Sequence, residues 1–214
     1  MKIIVLGARL SFHDLFQAKS IRNGAPRFNA TLICLDGTEK DNPKGFKTLI
    51  KYKNVEGENV VEDYSKLDDI CKQILKEKFK KITPKMKNWC YNKADGSTTR
   101  DEYTNEDGDF WAGFNSETFY ISATKKEENG KPKVLNQLKK EIDPNSGDLF
   151  SGCFVNAVID VYAFDNKEDK GVSASLEGIQ LKATGEPLGV SIIDAAEDFE
   201  EEEIDDIDEA GDLI

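Results

Sequence analysis

The chain has 214 residues, 38% hydrophobic and 9% aromatic, which suffices for one buried core but not for two large domains. Its formal net charge of −12 argues at first against a nucleic-acid partner, because phosphate binding needs lysine and arginine. No apolar run approaches the roughly 18 residues of a membrane span. Four scattered cysteines without a C-x-x-C pair, and an N-terminus unlike a signal peptide, lead us to expect reduced thiols in a cytoplasm.

The negative charge is concentrated at the C-terminus. Residues 194–214 hold 12 acidic residues and no basic one, which leaves 29 acidic and 29 basic residues in the rest of the chain. A neutral body is compatible with a local basic groove, whereas the terminal segment is too polar and self-repelling to pack. We therefore predict one domain over residues 1–193 and an acidic tail over 194–214.

The first half of the chain predicts two strands and a helix. Residues 2–6 and 28–35 are rich in β-branched and aromatic residues and should form strands on either side of an irregular, aromatic loop. Residues 66–82 carry apolar side chains at helical spacing behind Ser65, a candidate N-cap, within an insertion of about residues 60–110. The polar, glycine-containing stretch 89–110 predicts a mobile surface excursion.

The second half predicts a β-meander. Strand patterns cover residues 117–124 and 131–135 around a Glu-Asn-Gly turn, then 152–164, the longest pattern, and 171–182. Five or six strands with one helix suit a small closed barrel. The predicted fold class is thus mainly β, an OB-fold-like antiparallel barrel with one α-helix in an insertion and a disordered acidic tail.

Catalytic patterns are missing from the sequence. His13 is the only histidine, and the chain has neither a phosphate-binding glycine loop nor a Cys/His cluster, so we expect no enzyme, cofactor or metal. A metal-dependent nuclease remains an alternative, with candidate carboxylates in a turn-rich segment where acidic clusters are usually only solvated: Asp101, Glu102, Glu106 and Asp107.

The loop after the first strand interleaves cations with aromatic rings. This pattern is typical of single-stranded nucleic-acid binding, because rings stack on bases of any sequence while Arg and Lys neutralise the backbone. Burial of Phe12 and Phe16 in the core is an equal alternative. Further along, strand alternation allows only one of Phe119 and Tyr120 to face a groove, and Tyr120 suits the wet face. The predicted DNA-binding residues are Arg9, Phe12, Lys19, Arg22, Arg27, Phe28, Tyr120 and Tyr162.

Two charged segments leave their roles open. The lysines of residues 66–87 fit a solvated helix face better than phosphate contacts. The tail fits plain disorder for solubility, but also a tethered competitor whose carboxylates mimic phosphates and whose apolar residues bind replication or recombination proteins once DNA displaces it. Those apolar residues are Phe199, Ile204, Ile207, Leu213 and Ile214. The competing interpretation of the whole chain is an acidic DNA mimic that inhibits a host nucleic-acid enzyme.

Several motifs carry a family resemblance. Residues 8–12 (Ala-Arg-Leu-Ser-Phe), 24–30 (Gly-Ala-Pro-Arg-Phe-Asn-Ala), 150–153 (Phe-Ser-Gly-Cys), 162–165 (Tyr-Ala-Phe-Asp) and 171–174 (Gly-Val-Ser-Ala), together with the pair Leu15-Phe16, resemble in order and spacing the single-stranded-DNA-binding protein family of tailed phages. Two positions depart from the usual pattern. Arg27-Phe28-Asn29 replaces Lys-Tyr-Ser and keeps a cation beside a ring, whereas Cys34-Leu35-Asp36 replaces Ile-Pro-Lys and loses a positive charge.

The resemblance implies an OB-fold, sequence-tolerant binding of single-stranded DNA, no enzymatic activity and an acidic C-terminus like that of other replicative single-strand binders. It further implies action in phage DNA replication or recombination, in the cytoplasm of an infected bacterium. A homodimer is among the expected assemblies, and we expect no membrane partner.

Overall fold

The computed structural model describes residues 1–20, 24–40, 42–98, 100–166 and 169–189. Five strands form the framework: β1 (Lys2–Lys19), β2 (Arg27–Ile33), β7 (Phe119–Lys126), β9 (Phe154–Asp165) and β10 (Lys170–Ala183). Apolar side chains alternate with others along much of these strands, so one face of each strand can be buried. Arg22 and the tail, residues 194–214, lie outside the described residues.

The five strands close into a ring. Strand β1 pairs antiparallel with both β2 and β9, β2 pairs antiparallel with β7, and β10 pairs antiparallel with β9 and parallel with β7. The interior holds the inward residues of all five strands, among them Leu10, Leu32, Ile121, Ile159 and Leu176, each fully buried. The predicted small closed barrel of OB type is thereby confirmed, and closure leaves none of the five strands as a free edge.

Smaller elements decorate the ring. A hairpin of β3 (Leu49–Lys53) and β4 (Asn59–Asp63) extends the sheet beyond β1, and helix α1 (Lys66–Phe79) follows it. Short strands β5 (Lys87–Asn88) and β8 (Lys133–Leu135) pair in parallel with β10, while β6 (Tyr91–Lys93) pairs with β7. Helix α1 packs on the barrel through Leu67, Ile70, Cys71 and Leu75. It is neither long nor apolar enough to cross a membrane, and no other described helix is.

Parts of the sequence prediction are confirmed. The helix lies where the apolar spacing indicated, although it ends at Phe79 and Ser65 makes no side-chain capping hydrogen bond. The last two predicted strands match β9 and β10 within two residues, and they pair as a hairpin. All four cysteines are free and buried.

Other parts are wrong. The predicted loop after residue 6 is mostly strand, since β1 continues to Lys19 and is therefore longer than β9. Register shifts on either side of Asp14, and a positive φ of 36° at Phe12, bend β1 so that it stays paired with β2. The meander is also interrupted, because β7 and β8 both pair with β10 instead of each other.

The segment 89–110 packs closely where we predicted a mobile excursion. Cys90, Asn92 and Ala94 are fully buried, and the Tyr103 backbone N–H donates to the Ala94 carbonyl at 2.8 Å. Burial of a few side chains between polar turns anchors this segment against the outside of the barrel. It thereby supplies one side of the surface described next.

Candidate nucleic-acid interface

The outward faces of β2 and β7 form a floor of small polar side chains. Asn29 pairs with Thr124 and Thr31 with Ser122 across the two strands, and all four side chains line one groove. The alternating residues point into the barrel core, as Ile121 and Ala123 show by their burial. Small polar side chains leave room for a polynucleotide strand to approach the sheet.

Aromatic rings stand above this floor. Phe12 of β1 and Trp111 of the segment before β7 are 41% and 42% exposed, and their ring centroids lie 5.4 Å apart in an edge-to-face arrangement. Tyr103 supports Phe12 from one side, with a centroid distance of 5.7 Å. The first groove, bounded by Phe12, Tyr103 and Arg100, has a volume of about 520 Å³. Exposed rings held by other rings are preorganised for stacking on bases.

Cations lie at both sides of the first groove. The Lys19 ammonium lies 2.5 Å from the Asp14 carboxylate, which also accepts a hydrogen bond from Asn29, so part of the charge of Lys19 is already neutralised. Arg100 donates to the Trp89 carbonyl at 3.1 Å and lies 5.1 Å from the centroid of the Trp89 ring. The guanidinium is thus fixed in place at the groove.

A second groove continues from the first across Thr124. Its volume is about 430 Å³, and its floor includes Ser173 and Ser175 of β10. Tyr162, 42% exposed, and Phe164 of β9 supply rings, while Arg27 and Lys126, paired across β2 and β7, supply cations. The two grooves together give a polar, ring-lined path around the outside of the barrel.

Two titratable groups have shifted pKa values here: His13, which lines the first groove, and Tyr120, which lies buried beneath Tyr103 and Phe114. Burial lowers the pKa of His13 below its usual value, and nearby Lys19 lowers it further, while Asp14 opposes the shift. Burial raises the pKa of Tyr120, and Arg100 partly offsets that. At neutral pH the imidazole of His13 is therefore mainly uncharged, and the tyrosine keeps its proton.

Four of the predicted DNA-binding residues reach this surface. Phe12 and Lys19 line the first groove, Arg27 and Tyr162 line the second, and all four are exposed. Their contact with DNA stays a prediction. Arg22 and the five tail residues predicted to bind partners, Phe199, Ile204, Ile207, Leu213 and Ile214, lie outside the described residues.

Three of the predicted DNA-binding residues are buried, so the expectation that their side chains face a DNA strand is wrong. Arg9 is 2% exposed, and its guanidinium donates to the carbonyls of Gly152 at 3.4 Å and Glu186 at 3.0 Å. Burial lowers the pKa of Arg9, and the two carbonyls satisfy the donors of the buried guanidinium inside the fold. Phe28 is 5% exposed because its position in β2 points inward.

Tyr120 needs a different explanation, because it does point outward. It lies on the same face of β7 as Ser122 and Thr124, but Tyr103 and Phe114 cover it, with ring centroids at 4.9 and 5.8 Å, and leave it 0% exposed. Alternation along the strand predicted its direction correctly. The inserted segment then buries the side chain.

The sequence prediction missed several groove residues. Trp89, Tyr103, Arg100 and Lys126 line the grooves, and Trp111 was noticed as aromatic but not assigned to DNA. The available signal was the presence of two tryptophans, Trp89 and Trp111, in or next to a polar, glycine-containing stretch, because such large rings usually pack on another part of the protein or bind a ligand. The four carboxylates proposed for a nuclease form no cluster of three or more metal-binding side chains, nor does any other part of the described chain.

Comparisons with known proteins agree with this architecture. The family model described as "Enterobacter phage Enc34, ssDNA-binding protein" matches residues 1–210. The single-stranded DNA-binding protein of bacteriophage Enc34, solved in complex with ssDNA, has 21% sequence identity, a TM-score of 0.58, and coverage of 88% of this chain and 89% of its own. A second structure of the same phage protein covers 93% of this chain and 90% of its own, at 20% identity and a TM-score of 0.56.

A curated relative extends the comparison to another phage. Putative protein p50 of Acyrthosiphon pisum secondary endosymbiont phage 1 is 29% identical over 212 residues, which span 95% of this chain and 98% of that protein. The matching family is one of DNA-binding proteins and not of enzymes, which confirms the predicted lack of catalysis. The family resemblance seen in the sequence is likewise confirmed, and the chain belongs to the family of the Enterobacter phage Enc34 ssDNA-binding protein.

Proposed function

We propose that this chain coats single-stranded DNA without sequence preference during phage DNA replication or recombination, in the cytoplasm of an infected bacterium. The observation that carries the proposal is the pair of continuous grooves, in which exposed rings and cations flank a floor of small polar side chains. Rings recognise any base by its π-face, and no base-specific hydrogen-bonding pocket is needed. The Enc34 protein of the same family has been solved with ssDNA.

The magnitudes support useful affinity. Stacking contributes about 1–3 kcal/mol per base, and the two grooves offer separate ring sites at Phe12 with Trp111 and at Tyr162. Two or three stacked bases with a few phosphate contacts reach about −8 kcal/mol, which corresponds to micromolar binding. Many copies along one strand add cooperativity, so a modest surface suffices.

Binding is tested by titrating fluorescent oligothymidine and a matched duplex with the full chain at several salt concentrations. We expect preference for the single strand, and an affinity that falls as salt rises, because phosphate contacts release counterions. Equal affinity for the duplex, or no binding to either DNA, contradicts the proposal. Binding to a host nucleic-acid enzyme in place of DNA would instead support the DNA-mimic interpretation.

The tail adds a regulatory part to the proposal. Its 12 carboxylates compete with DNA phosphates for the basic groups of the body, and the short tether gives an effective concentration of about millimolar. Once DNA displaces the tail, Phe199, Ile204, Ile207, Leu213 and Ile214 become available to a replication or recombination protein with an apolar pocket and a basic rim.

The tail is tested in the full chain by replacing Glu200–Glu203 with glutamine. We expect tighter binding to oligothymidine, most clearly at low salt where charge competition is strongest. A control replaces Glu56, Glu58 and Glu141 with glutamine and Asp148 with asparagine, which removes the same charge from exposed residues that line neither groove. Equal effects of both variants, or no effect of the tail variant, contradict the competition. Light scattering of the same samples measures whether the chain forms the predicted homodimer.

A further inference from the structure

A cluster of lysines lies where helix α1 ends. Within twelve residues, from Lys76 to Lys87, there are six lysines and a single acidic residue, Glu77. We call this set the lysine patch; its members are Lys76, Lys78, Lys80, Lys81, Lys85 and Lys87. All but Lys87 are exposed, and Lys87 is half-buried. The local charge is thus strongly positive in a body whose charges otherwise balance.

The lysine patch differs from the lysines in the first turns of the same helix. Lys66 pairs with Asp69 at 2.9 Å and Lys72 with Asp68 at 2.5 Å, as expected of a solvated helix face. Within the part of the chain that the structure describes, no carboxylate lies within 4.0 Å of any ammonium of the lysine patch. These exposed ammonium groups are therefore available to an anion from outside the described residues.

The surface at the lysine patch is concave. A cavity of about 410 Å³ is lined by Lys85, Lys87 and Lys170, together with Thr83, Met86 and one acidic residue, Asp169. Lys170 is paired with Asp165 at 3.1 Å, which leaves Lys85 and Lys87 as the cations of the cavity outside any ion pair among the described residues. Lys170 lies 5.6 Å from the centroid of the Phe79 ring, so it joins the end of α1 to this cavity. No exposed aromatic side chain lines it, so the cavity offers charge without a platform for bases.

The second groove leads directly to this cavity. Lys87 pairs with Gly171 in β10, and Gly171 pairs with Phe164, which lines the second groove together with Trp89. The backbones of β5 and β10 approach closely at Gly171, because a side chain there would place its Cβ 2.1 Å from the Lys87 carbonyl oxygen. Lys87 therefore lies two residues from Trp89 in the chain and, through Gly171, beside Phe164 in the sheet, at the end of the second groove.

We propose that the lysine patch extends the path of single-stranded DNA beyond the second groove by binding its phosphates. The inference rests on the proposed function, and it assigns to this surface electrostatic contacts without base recognition. Lysine suits that role, because its ammonium is a compact point charge on a flexible stem and follows a mobile backbone. The DNA then has two kinds of contact, stacking in the grooves and charge pairing at the end of α1.

The test is the salt dependence of binding to oligothymidines of about 4 to about 16 nucleotides, the range of site sizes of OB-folds. The variant replaces Lys81, Lys85 and Lys87 with glutamine. Each phosphate contact contributes about 0.7 to the slope of log K against log salt for single strands, so three contacts contribute about 2. Between 50 and 200 mM salt, the wild type should lose about 20-fold more affinity than the variant.

A matched control replaces Lys44, Lys53 and Lys140, which line neither groove nor this cavity. We expect the control to keep the wild-type slope, and the lysine-patch variant to lose slope only with the longer oligonucleotides. Circular dichroism confirms that each variant is folded. A slope that changes equally in both variants, or in neither, overturns the proposal.

Two further outcomes are distinguishable. If the wild type binds no oligothymidine, the proposed function itself fails. If the lysine patch holds the acidic tail instead of DNA, the lysine variant binds DNA more tightly than the wild type, and this gain disappears when Glu200–Glu203 are glutamine. That result overturns the DNA path while leaving strand binding by the grooves intact.

Discussion

Replacement of Phe12 by alanine tests base stacking in the first groove. The ring is 41% exposed and contacts Trp111 and Tyr103 edge-on, at centroid distances of 5.4 and 5.7 Å. Loss of one stacked base costs about 1–3 kcal/mol, which is a loss of about 5-fold to about 150-fold in affinity. More than half of the ring surface is buried, so the substitution also lowers the free energy of unfolding, by about 1–2 kcal/mol.

The assay is fluorescence anisotropy with oligothymidine over a range of salt concentrations. Phe12→Ala should weaken binding without changing the salt slope, because a ring neutralises no phosphate. Phe46→Ala is the control: this half-buried ring packs on Phe154 at 4.8 Å and lies outside both grooves. Affinities of the two variants within about 2-fold of each other at every salt concentration would refute the stacking assignment.

A double-mutant cycle refines this test. Phe12 and Trp111 touch, so they belong to one stacking site, and the effects of Phe12→Ala and Trp111→Ala on affinity should not add. Tyr162 lines the other groove, so the effects of Phe12→Ala and Tyr162→Ala should add within about 0.5 kcal/mol. Additive effects in the first pair and coupled effects in the second would show that the two grooves do not bind separate parts of the DNA strand.

Two further predictions concern Arg9 and His13. The Arg9 guanidinium donates to the Gly152 and Glu186 carbonyls, so Arg9→Met should lower the free energy of unfolding in urea by about 1.5–3 kcal/mol per lost charged hydrogen bond. The DNA affinity of the folded protein should stay unchanged. A loss of DNA affinity without a loss of stability would contradict the packing role of Arg9. The pKa of His13 is lowered in the folded state, mainly by burial, so the unfolded chain binds its proton more readily and stability falls as pH drops below about 6.5. Thermal unfolding between pH 7.5 and 4.5 should show a flatter pH dependence for His13→Gln, and an unchanged profile would refute this.

The sequence predicted the elements whose patterns are local. Helix α1 follows from apolar spacing, and β9 and β10 from alternation along a single strand, and both kinds of signal survive in the folded chain. The course of β1 beyond residue 6 could not be predicted in this way. Its irregular register around Asp14 and the positive φ at Phe12 break the period of two, so a paired strand has the appearance of a loop in sequence.

The sequence predicted the type of the candidate surface better than the individual residues that form it. The mixture of rings and cations indicated the type of surface, and Phe12, Lys19, Arg27 and Tyr162 do lie on it. Exposure of each side chain depends on tertiary cover, which a single sequence does not encode locally. Tyr120 illustrates the limit, because its direction follows from alternation whereas its burial follows from rings of the inserted segment.

The pairing of β1 with β9 has a consequence for folding during translation. Ile3 lies opposite Ile159, and the N-terminal amino group donates to the Asp160 carboxylate at 2.7 Å. The ring therefore cannot close until β9, the second-last strand, has been synthesised. At synthesis rates of about 5–20 residues per second, translation through β10 takes roughly 10–40 s. The second groove exists only after that time, since Tyr162, Ser173 and Ser175 lie on the last two barrel strands. The nascent chain therefore acquires the second groove only after both of these strands have been made.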